Sequence, residues 1–206
     1  MISDTEVKSI LINQLKFKAE KLEKLEHYVK NVLLFNKKRN IISKNTEKDI
    51  WHRHILDSAQ IVRFIEEKKC ENIADLGSGA GFPGIVLAIY YSDFNFHVKL
   101  YEKSPLKSEF LRNISNKLNL KCNVLCKDVF KEKISSNYIV SRAFKKLPYI
   151  LKISRENCNK NHKIILLKGR NAQDEIKKAS QYKNFRYRLE NSITNAESKI
   201  LIVDSE

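Results

Sequence analysis

The segment ADLGSGAGFPGIVLAI, residues 74–89, holds four of the five glycines of this 206-residue chain. Glycines at this density let the backbone turn tightly and approach a ligand closely, because no Cβ lies in the way. Counted from Gly77, the spacing is G-x-G-x-G. Counted from Gly79, it is G-x-G-x-x-G closing at Gly84, which is typical of dinucleotide sites. The spacing alone therefore leaves two classes of ligand open.

A carboxylate just before the loop favours one class. Asp75 ends a short apolar run two residues before Gly77. It would repel a pyrophosphate, whereas it could hold the ammonium group of S-adenosylmethionine directly or through water. The pattern D-x-G-x-G thus favours S-adenosylmethionine over a nicotinamide or flavin nucleotide, and it places Asp75, Gly77, Gly79 and Gly81 at the cofactor site.

Further candidates follow the next apolar runs. Glu102 closes FHVKLYE, where an acid can accept hydrogen bonds from the ribose hydroxyls of either cofactor class. Asp128 in CKDVF is placed to receive the adenine amino group, although a solvated loop acid remains the alternative. Phe82 either covers the cofactor or packs on the sheet. No cysteine and histidine spacing is typical of metal ligands, so no metal site is predicted.

The elements that would position these residues alternate along the chain. From NIADL onward, short apolar runs alternate with helical stretches, which predicts a mostly parallel sheet covered on both faces. The gap between FRYRLE and KILIVD is too short for a crossover helix, so these runs should pair antiparallel. The predicted fold is an α/β, Rossmann-like class I S-adenosylmethionine-dependent methyltransferase with a seven-stranded sheet ending in an antiparallel hairpin.

The first 69 residues differ in character from the rest. Apolar residues recur there at spacings of three and four, which predicts amphipathic helices. We expect an N-terminal helical extension, residues 1–69, packed on a methyltransferase core of residues 70–206. No apolar run approaches the length of a membrane span, and the N-terminus lacks the apolar core of a signal peptide. The expectation is a cytoplasmic monomer that does not contact a membrane.

The charge distribution favours a polyanionic partner. The formal net charge is +15, and residues 137–190 contribute +10 of it, from 14 Lys or Arg against 4 Asp or Glu. Biased genomic base composition would raise the lysine content more evenly along the chain, so the concentration of charge indicates nucleic acid binding.

The three prolines are isolated, which argues against the Asp/Asn-Pro-Pro-aromatic motif of amino-directed methylases. No cysteine lies where a C5-methylase needs its nucleophile.

Guanine N7 fits the remaining pattern. It has an exposed lone pair and no proton to lose, so a methylase acting there needs positioning and no general base. Small-molecule methylases share this appearance and stay open at this point. Six segments, however, carry a family resemblance in their order and spacing: LLFNKKRNIIS, WHRHILDS, ADLGSGAGFPGIVLAI, YEKSPLKSEFL, SRAF and LLKGR. Across about residues 30–175 the chain resembles the bacterial 16S ribosomal RNA guanine-N7 methyltransferases, also called glucose-inhibited division protein B.

The resemblance implies methylation of one guanine N7 in a 16S ribosomal RNA loop near the decoding site, on naked RNA or on the small subunit. It implies cofactor contacts at Gly77, Phe82, Asp128, Val129 and Arg142. The chain departs from the usual Arg-x-Glu at residues 127–129, and Leu167 replaces a glycine before Lys168-Gly169.

The resemblance also suggests substrate-positioning residues. Arg53, His54 and Asp57 are expected to face the cleft, with helix capping or a surface ion pair as the alternative. Lys168 and Arg170 lie at the carboxyl end of a strand, where ligands bind in open α/β sheets, and are expected to contact phosphate. Arg142, Lys145 and Lys146 would extend this basic rim. Two other functions stay open: a dehydrogenase-like nucleotide-binding protein, and a non-catalytic protein that binds RNA or ribosomal subunits.

Overall fold

Seven strands form one mixed sheet in the computed structural model, which describes residues 2–66, 71–158, 161–180 and 185–204. Their order across the sheet is β3-β2-β1-β4-β5-β7-β6. Strands β1 to β5 pair in parallel, whereas β7 is antiparallel to both β5 and β6. This confirms the predicted parallel sheet with a terminal antiparallel hairpin. The strands are β1 Asn72–Leu76, β2 His97–Tyr101, β3 Cys122–Leu125, β4 Tyr138–Arg142, β5 Lys163–Lys168, β6 Tyr187–Asn191 and β7 Lys199–Asp204.

Helices precede the sheet and alternate with its strands. The segment α3, residues 51–64, is made of π-helical turns over Trp51–Leu56, an α-turn over Asp57–Ala59 and 3-10 turns over Gln60–Phe64. No described helix is long and apolar enough to cross a membrane. The other helices are α1 Asp4–Asn13, α2 Ala19–Asn36, α4 Gly84–Tyr90, α5 Pro105–Lys117, α6 Leu147–Asn157 and α7 Ala172–Ser180.

The central strand β1 divides the core into two apolar clusters, because successive side chains of a strand point to opposite faces. Ile73 belongs to the cluster beneath α4, whereas Ala74 and Leu76 belong to the cluster on the other face. The first cluster also contains fully buried side chains of the N-terminal helices, such as Leu25 and Ile55. The N-terminal helices therefore share one hydrophobic core with the sheet.

The division into residues 1–69 and 70–206 stays a prediction, because its boundary lies outside the described residues. The parallel strands β1, β2, β3, β4 and β5 all end at one edge of the sheet. That edge carries the glycine loop, Glu102, Asp128, Arg142 and Lys168, which is where ligands bind in open α/β sheets.

Candidate active site

A first cavity of about 450 Å³ opens at the carboxyl ends of β1 to β4. A volume of this size is in the ordinary range for a small-molecule site. Ile41 and Ile42, which precede α3, close one side of it. Its wall includes the predicted cofactor residues Gly77, Gly79, Phe82, Glu102, Asp128, Val129 and Arg142, together with His54.

The glycine loop is held in the left-handed region of backbone conformation. Gly77 has a φ of 71° and Gly79 a φ of 59°. A Cβ on Gly77 would lie 2.2 Å from Cδ2 of Phe144. A Cβ on Gly79 would meet nothing closer than the carbonyl oxygen of Gly77 at 3.9 Å, so the backbone is open toward the cavity. The loop thus offers a ligand close approach to bare backbone.

The N-terminal helix α2 supports the loop from behind. The hydroxyl of Tyr28 is fully buried and donates a 2.7 Å hydrogen bond to the carbonyl oxygen of Ala80. Gly81, with a φ of 104°, lies against this tyrosine and Ile85 and does not line the first cavity. Its contact with the cofactor stays a prediction. Gly81 shapes the loop, because a side chain there would collide with Tyr28 and Ile85.

Glu102 lies where a sugar-binding acid is expected. It is 7% exposed and lines the first cavity. Its Oε2 accepts a hydrogen bond from the Gly79 amide at 2.9 Å, and its Oε1 accepts one from the Ser104 amide at 2.8 Å. Each carboxylate oxygen has a second lone pair, so both can also accept from ligand hydroxyls.

Asp128 and Phe82 also lie on the wall. Asp128 accepts a hydrogen bond from the Phe130 amide at 3.2 Å, which fixes the short turn after β3. Phe82 is 4% exposed, and its ring centroid lies 5.2 Å from that of Tyr28 and 4.8 Å from that of His54. The sequence left two roles for Phe82; its ring both packs in the core and faces the cavity.

Asp75 lies beneath the glycine loop. Its side chain shares the β1 face of Ile73, beneath α4, and is fully buried. Oδ2 accepts a 3.0 Å hydrogen bond from the Gly84 amide at the start of α4, whereas Oδ1 is buried with no hydrogen-bond partner. Asp75 does not line the first cavity, and its contact with a cofactor ammonium, direct or through water, stays a prediction. The carboxylate supports the loop from beneath.

Burial raises the pKa of Asp75 from 3.8 to about 7, against the opposing effect of the hydrogen bond from the Gly84 amide. Because the folded pKa is above the unfolded one, the stability contribution is fully present below pH 3.8 and is lost as pH rises through about 7. We expect the melting temperature of Asp75→Asn, relative to wild type, to rise by several degrees between pH 4 and pH 8.

The comparison with Asp75→Asn is needed because His54 acts in the opposite direction. Burial and the neighbouring Arg142 and Arg53 lower the pKa of His54 to about 3, so its contribution to stability is lost as pH falls from 6.5 toward 3. This contribution is common to both proteins and cancels in the difference. A difference in melting temperature that stays constant from pH 4 to pH 8 would contradict the titration of Asp75.

A second cavity of about 920 Å³ adjoins the first. Arg53, His54, Asp57 and Lys168 line it. The two cavities share five wall residues, which we call the shared wall: His54, Arg142, Ala143, Phe144 and Lys145. Ala143 has a φ of 51°, an uncommon backbone conformation for a residue with a side chain. Such strained positions are concentrated at functional sites.

Arg142 is the central residue of the shared wall. Its Nη1 donates to the carbonyl oxygen of Arg53 at 2.9 Å and lies 3.4 Å from Oδ2 of Asp57. Its Nη2 donates to Nδ1 of His54 at 2.6 Å. The guanidinium carbon also lies 5.1 Å from the centroid of the Phe82 ring. One side chain thus connects β4, α3 and the glycine loop.

The Arg142 contact fixes the protonation of His54. Arginine only donates hydrogen bonds, so Nδ1 of His54 is an acceptor and the ring proton is on Nε2. Nε2 lies 2.8 Å from the Thr46 hydroxyl, which itself donates to the carbonyl oxygen of Ser43. With its pKa lowered to about 3, the imidazole is neutral near pH 7. Both ring nitrogens are already hydrogen-bonded within the protein.

Gln60 supports the wall of the second cavity, and the sequence did not reveal this role. It is fully buried, and its Nε2 donates to Oδ1 of Asp57 and to the Ser192 hydroxyl, each at 3.0 Å. Its Oε1 accepts from the Ile193 amide at 2.9 Å. Ser192 lines the second cavity, as does Thr194, whose hydroxyl donates to Asp57. Gln60 therefore fixes the β6–β7 connection against α3.

The basic residues near the carboxyl ends of β4 and β5 differ in their contacts and exposure. Nζ of Lys168 donates to Oε2 of Glu175 at 2.8 Å, and both residues line the second cavity. Arg170 is exposed in the turn beyond β5 and lines neither cavity. Lys145 and Lys146 are exposed on the second cavity. Among the described residues, no group of three His, Cys, Asp or Glu side chains could hold a metal ion.

Comparison with solved structures supports the fold. The chain is similar to a SAM-dependent methyltransferase from Aquifex aeolicus, with a TM-score of 0.58 and 13% sequence identity over 73% of this chain and 89% of the other. At this identity the similarity concerns the fold alone, and it confirms the predicted class I methyltransferase architecture.

Sequence comparison is more specific. The chain is 40% identical to a ribosomal RNA small subunit methyltransferase G from Rickettsia felis, over 90% of this chain and 94% of the relative. It is also 40% identical to the protein of that name from Pelagibacter ubique, over 81% of this chain and 80% of the relative. The family model GidB, described as rRNA small subunit methyltransferase G, matches residues 21–202. The chain therefore belongs to the GidB family.

Proposed function

We propose that this protein transfers a methyl group from S-adenosylmethionine to N7 of a guanine in 16S ribosomal RNA. The observation that carries the proposal is the shared wall, which joins a cofactor-sized cavity to a larger, basic one. S-adenosylmethionine supplies an electrophilic methyl group carried on a sulfonium. The residues at the first cavity fit this molecule: Glu102 is available to the ribose hydroxyls, Asp128 to the adenine amino group, and Gly79 offers open backbone.

The second cavity is where the guanine would be held. Arg53, Asp57 and Lys168 line it, and Lys145 and Lys146 are exposed on it to meet phosphate. Exposed Arg170 would contact phosphate beyond it. Phosphate contacts of this kind position the RNA without reading its sequence. The protein's share of catalysis is then to align N7 with the methyl group across the shared wall.

The state of His54 favours an acceptor without a proton. Both ring nitrogens are engaged, by Arg142 and Thr46, and the lowered pKa of about 3 leaves the ring a poor base. His54 therefore serves to position its neighbours Arg142 and Thr46. Guanine N7 requires no deprotonation, so it suits this wall better than an exocyclic amine does.

The test is mass-spectrometric mapping of 16S ribosomal RNA from cells that lack the gene. One N7-methylguanosine should disappear, and the wild-type gene should restore it. Purified protein should also transfer a labelled methyl group to 16S RNA from those cells. An unchanged N7-methylguanosine pattern would refute the proposal, and binding of RNA without transfer would make this a non-catalytic member of the fold. We further propose that the protein acts as a monomer in the cytoplasm, on naked RNA or on the small subunit.

A further inference from the structure

Residues 37–48, which we call the basic loop, connect α2 to the turns before α3. The loop carries five cations and one acid, Glu47. The cations are all exposed: Lys37, Lys38, Arg39, Lys44 and Lys48. Within the part of the chain that the structure describes, none of the five makes an ion pair.

The basic loop has a fixed backbone. Asn36, the last residue of α2, is 1% exposed, and its Oδ1 accepts hydrogen bonds from the amides of Ile41 at 2.7 Å and Ile42 at 2.9 Å. Its Nδ2 donates to Glu47, which ties the two ends of the loop together. A buried asparagine with all these bonds holds the loop in one conformation, so its charges are presented in a defined place.

The loop lies at the mouths of both cavities. Ile41 and Ile42 line the first cavity, and Thr46 lines the second. Lys145 and Lys146 line the second cavity from the end of β4. The five loop cations themselves line neither cavity, but they flank the loop residues that do, and among the described residues they have no carboxylate partner.

We propose that the basic loop is a second phosphate-binding surface, which holds the RNA strand across the mouths of the two cavities opposite Lys145 and Lys146. The inference rests on the proposed function. It adds a contact surface that is separate from the basic rim of β4 and β5, and it gives the cations of the loop a ligand. A strand held at both sides of the opening would present one base to the second cavity.

The test compares two variants that each remove three positive charges. The first replaces Lys37, Lys38 and Arg39 with glutamine. The control replaces Lys117, Lys121 and Lys133 with glutamine; these lie at the end of α5, just before β3, and beside the end of α6, away from the carboxyl edge of the sheet. Both variants change the net charge equally. A difference between them therefore reports the position of the removed charges and not the overall electrostatic field of the protein.

The measurement is binding to a 16S RNA transcript at several salt concentrations, with S-adenosylhomocysteine affinity measured in parallel. The loop variant should bind RNA about 10-fold or more weakly, with a salt slope reduced by about two to three. The control should stay within about twofold of wild type, and both variants should keep wild-type S-adenosylhomocysteine affinity.

Equal RNA affinities and salt slopes in the two variants would overturn the inference. So would a loss of S-adenosylhomocysteine binding in the loop variant, because the loop would then act on the cofactor. If the wild-type protein itself neither bound nor methylated the RNA, the proposed function would fail, which is a distinct result from the failure of the loop alone.

Discussion

Replacement of Arg142 by alanine is expected to lower kcat/KM for methyl transfer to 16S ribosomal RNA by about 100-fold. The guanidinium has three acceptors, on Arg53, His54 and Asp57, and the shared wall depends on all three bonds. Its removal leaves Nδ1 of His54 and Oδ2 of Asp57 half-buried without this donor, at a cost of about 1–3 kcal/mol for each unsatisfied group. The two cavities would then no longer be held in a fixed position relative to each other.

We expect that a lysine at position 142 cannot restore the methyl-transfer activity that this arginine supports. An ammonium is a point charge without the planar fork, so it can reach one of the three acceptors at a time. We expect Arg142→Lys to remain at least about 10-fold below wild type. Arg112→Ala is the matched control, because Arg112 is exposed on α5 and lines neither described cavity. Single-turnover assays with thermal melts separate transfer from folding. Wild-type kcat/KM in Arg142→Ala would show that the wall does not align the reactants.

The seven strands and the antiparallel pairing of the last two could be predicted because the relevant signals are local. Each apolar run is short and bounded, and the gap between β6 and β7 is too short for a crossover helix. Glu102 could be assigned for the same reason, since the residue that closes β2 must lie at the carboxyl edge of the sheet. The position of Glu102 follows from where β2 ends and does not depend on how the rest of the chain folds.

The side-chain direction of Asp75 depends on more than local signals. The residue lies at the correct strand end, yet the alternation of β1 turns its side chain beneath α4 and away from the cavity. That outcome depends on how the loop folds back to bring Gly84 over the strand. The contacts of Gln60 are still harder to predict from the sequence, because its partner Ser192 is 132 residues away. Nothing in the spacing of either segment specifies that pair.

Valine at Gly77 should weaken S-adenosylhomocysteine binding by about 100-fold or more, which isothermal titration calorimetry can measure. Two costs add at this position. The φ of 71° is strained for any L-residue, by about 1–2 kcal/mol, and most of all for a β-branched one. The new Cβ would also lie 2.2 Å from Cδ2 of Phe144, so the ring or the loop must move. Because the loop forms the cavity wall, relief of either strain changes the cofactor site.

Two further variants separate these costs. Gly169→Val is the matched control, since a Cβ there meets nothing within 4 Å and its backbone is not in the left-handed region, so S-adenosylhomocysteine affinity should stay at the wild-type value. In a double-mutant cycle with Phe144→Ala, the collision disappears while the strain in φ remains, so affinity should recover in part. Full recovery of the affinity would show that the whole effect of Gly77→Val comes from the collision with the Phe144 ring. Affinity of Gly77→Val within threefold of wild type, on the scale of about 0.6 kcal/mol, would instead show that the loop relaxes without cost and that the first cavity does not need Gly77.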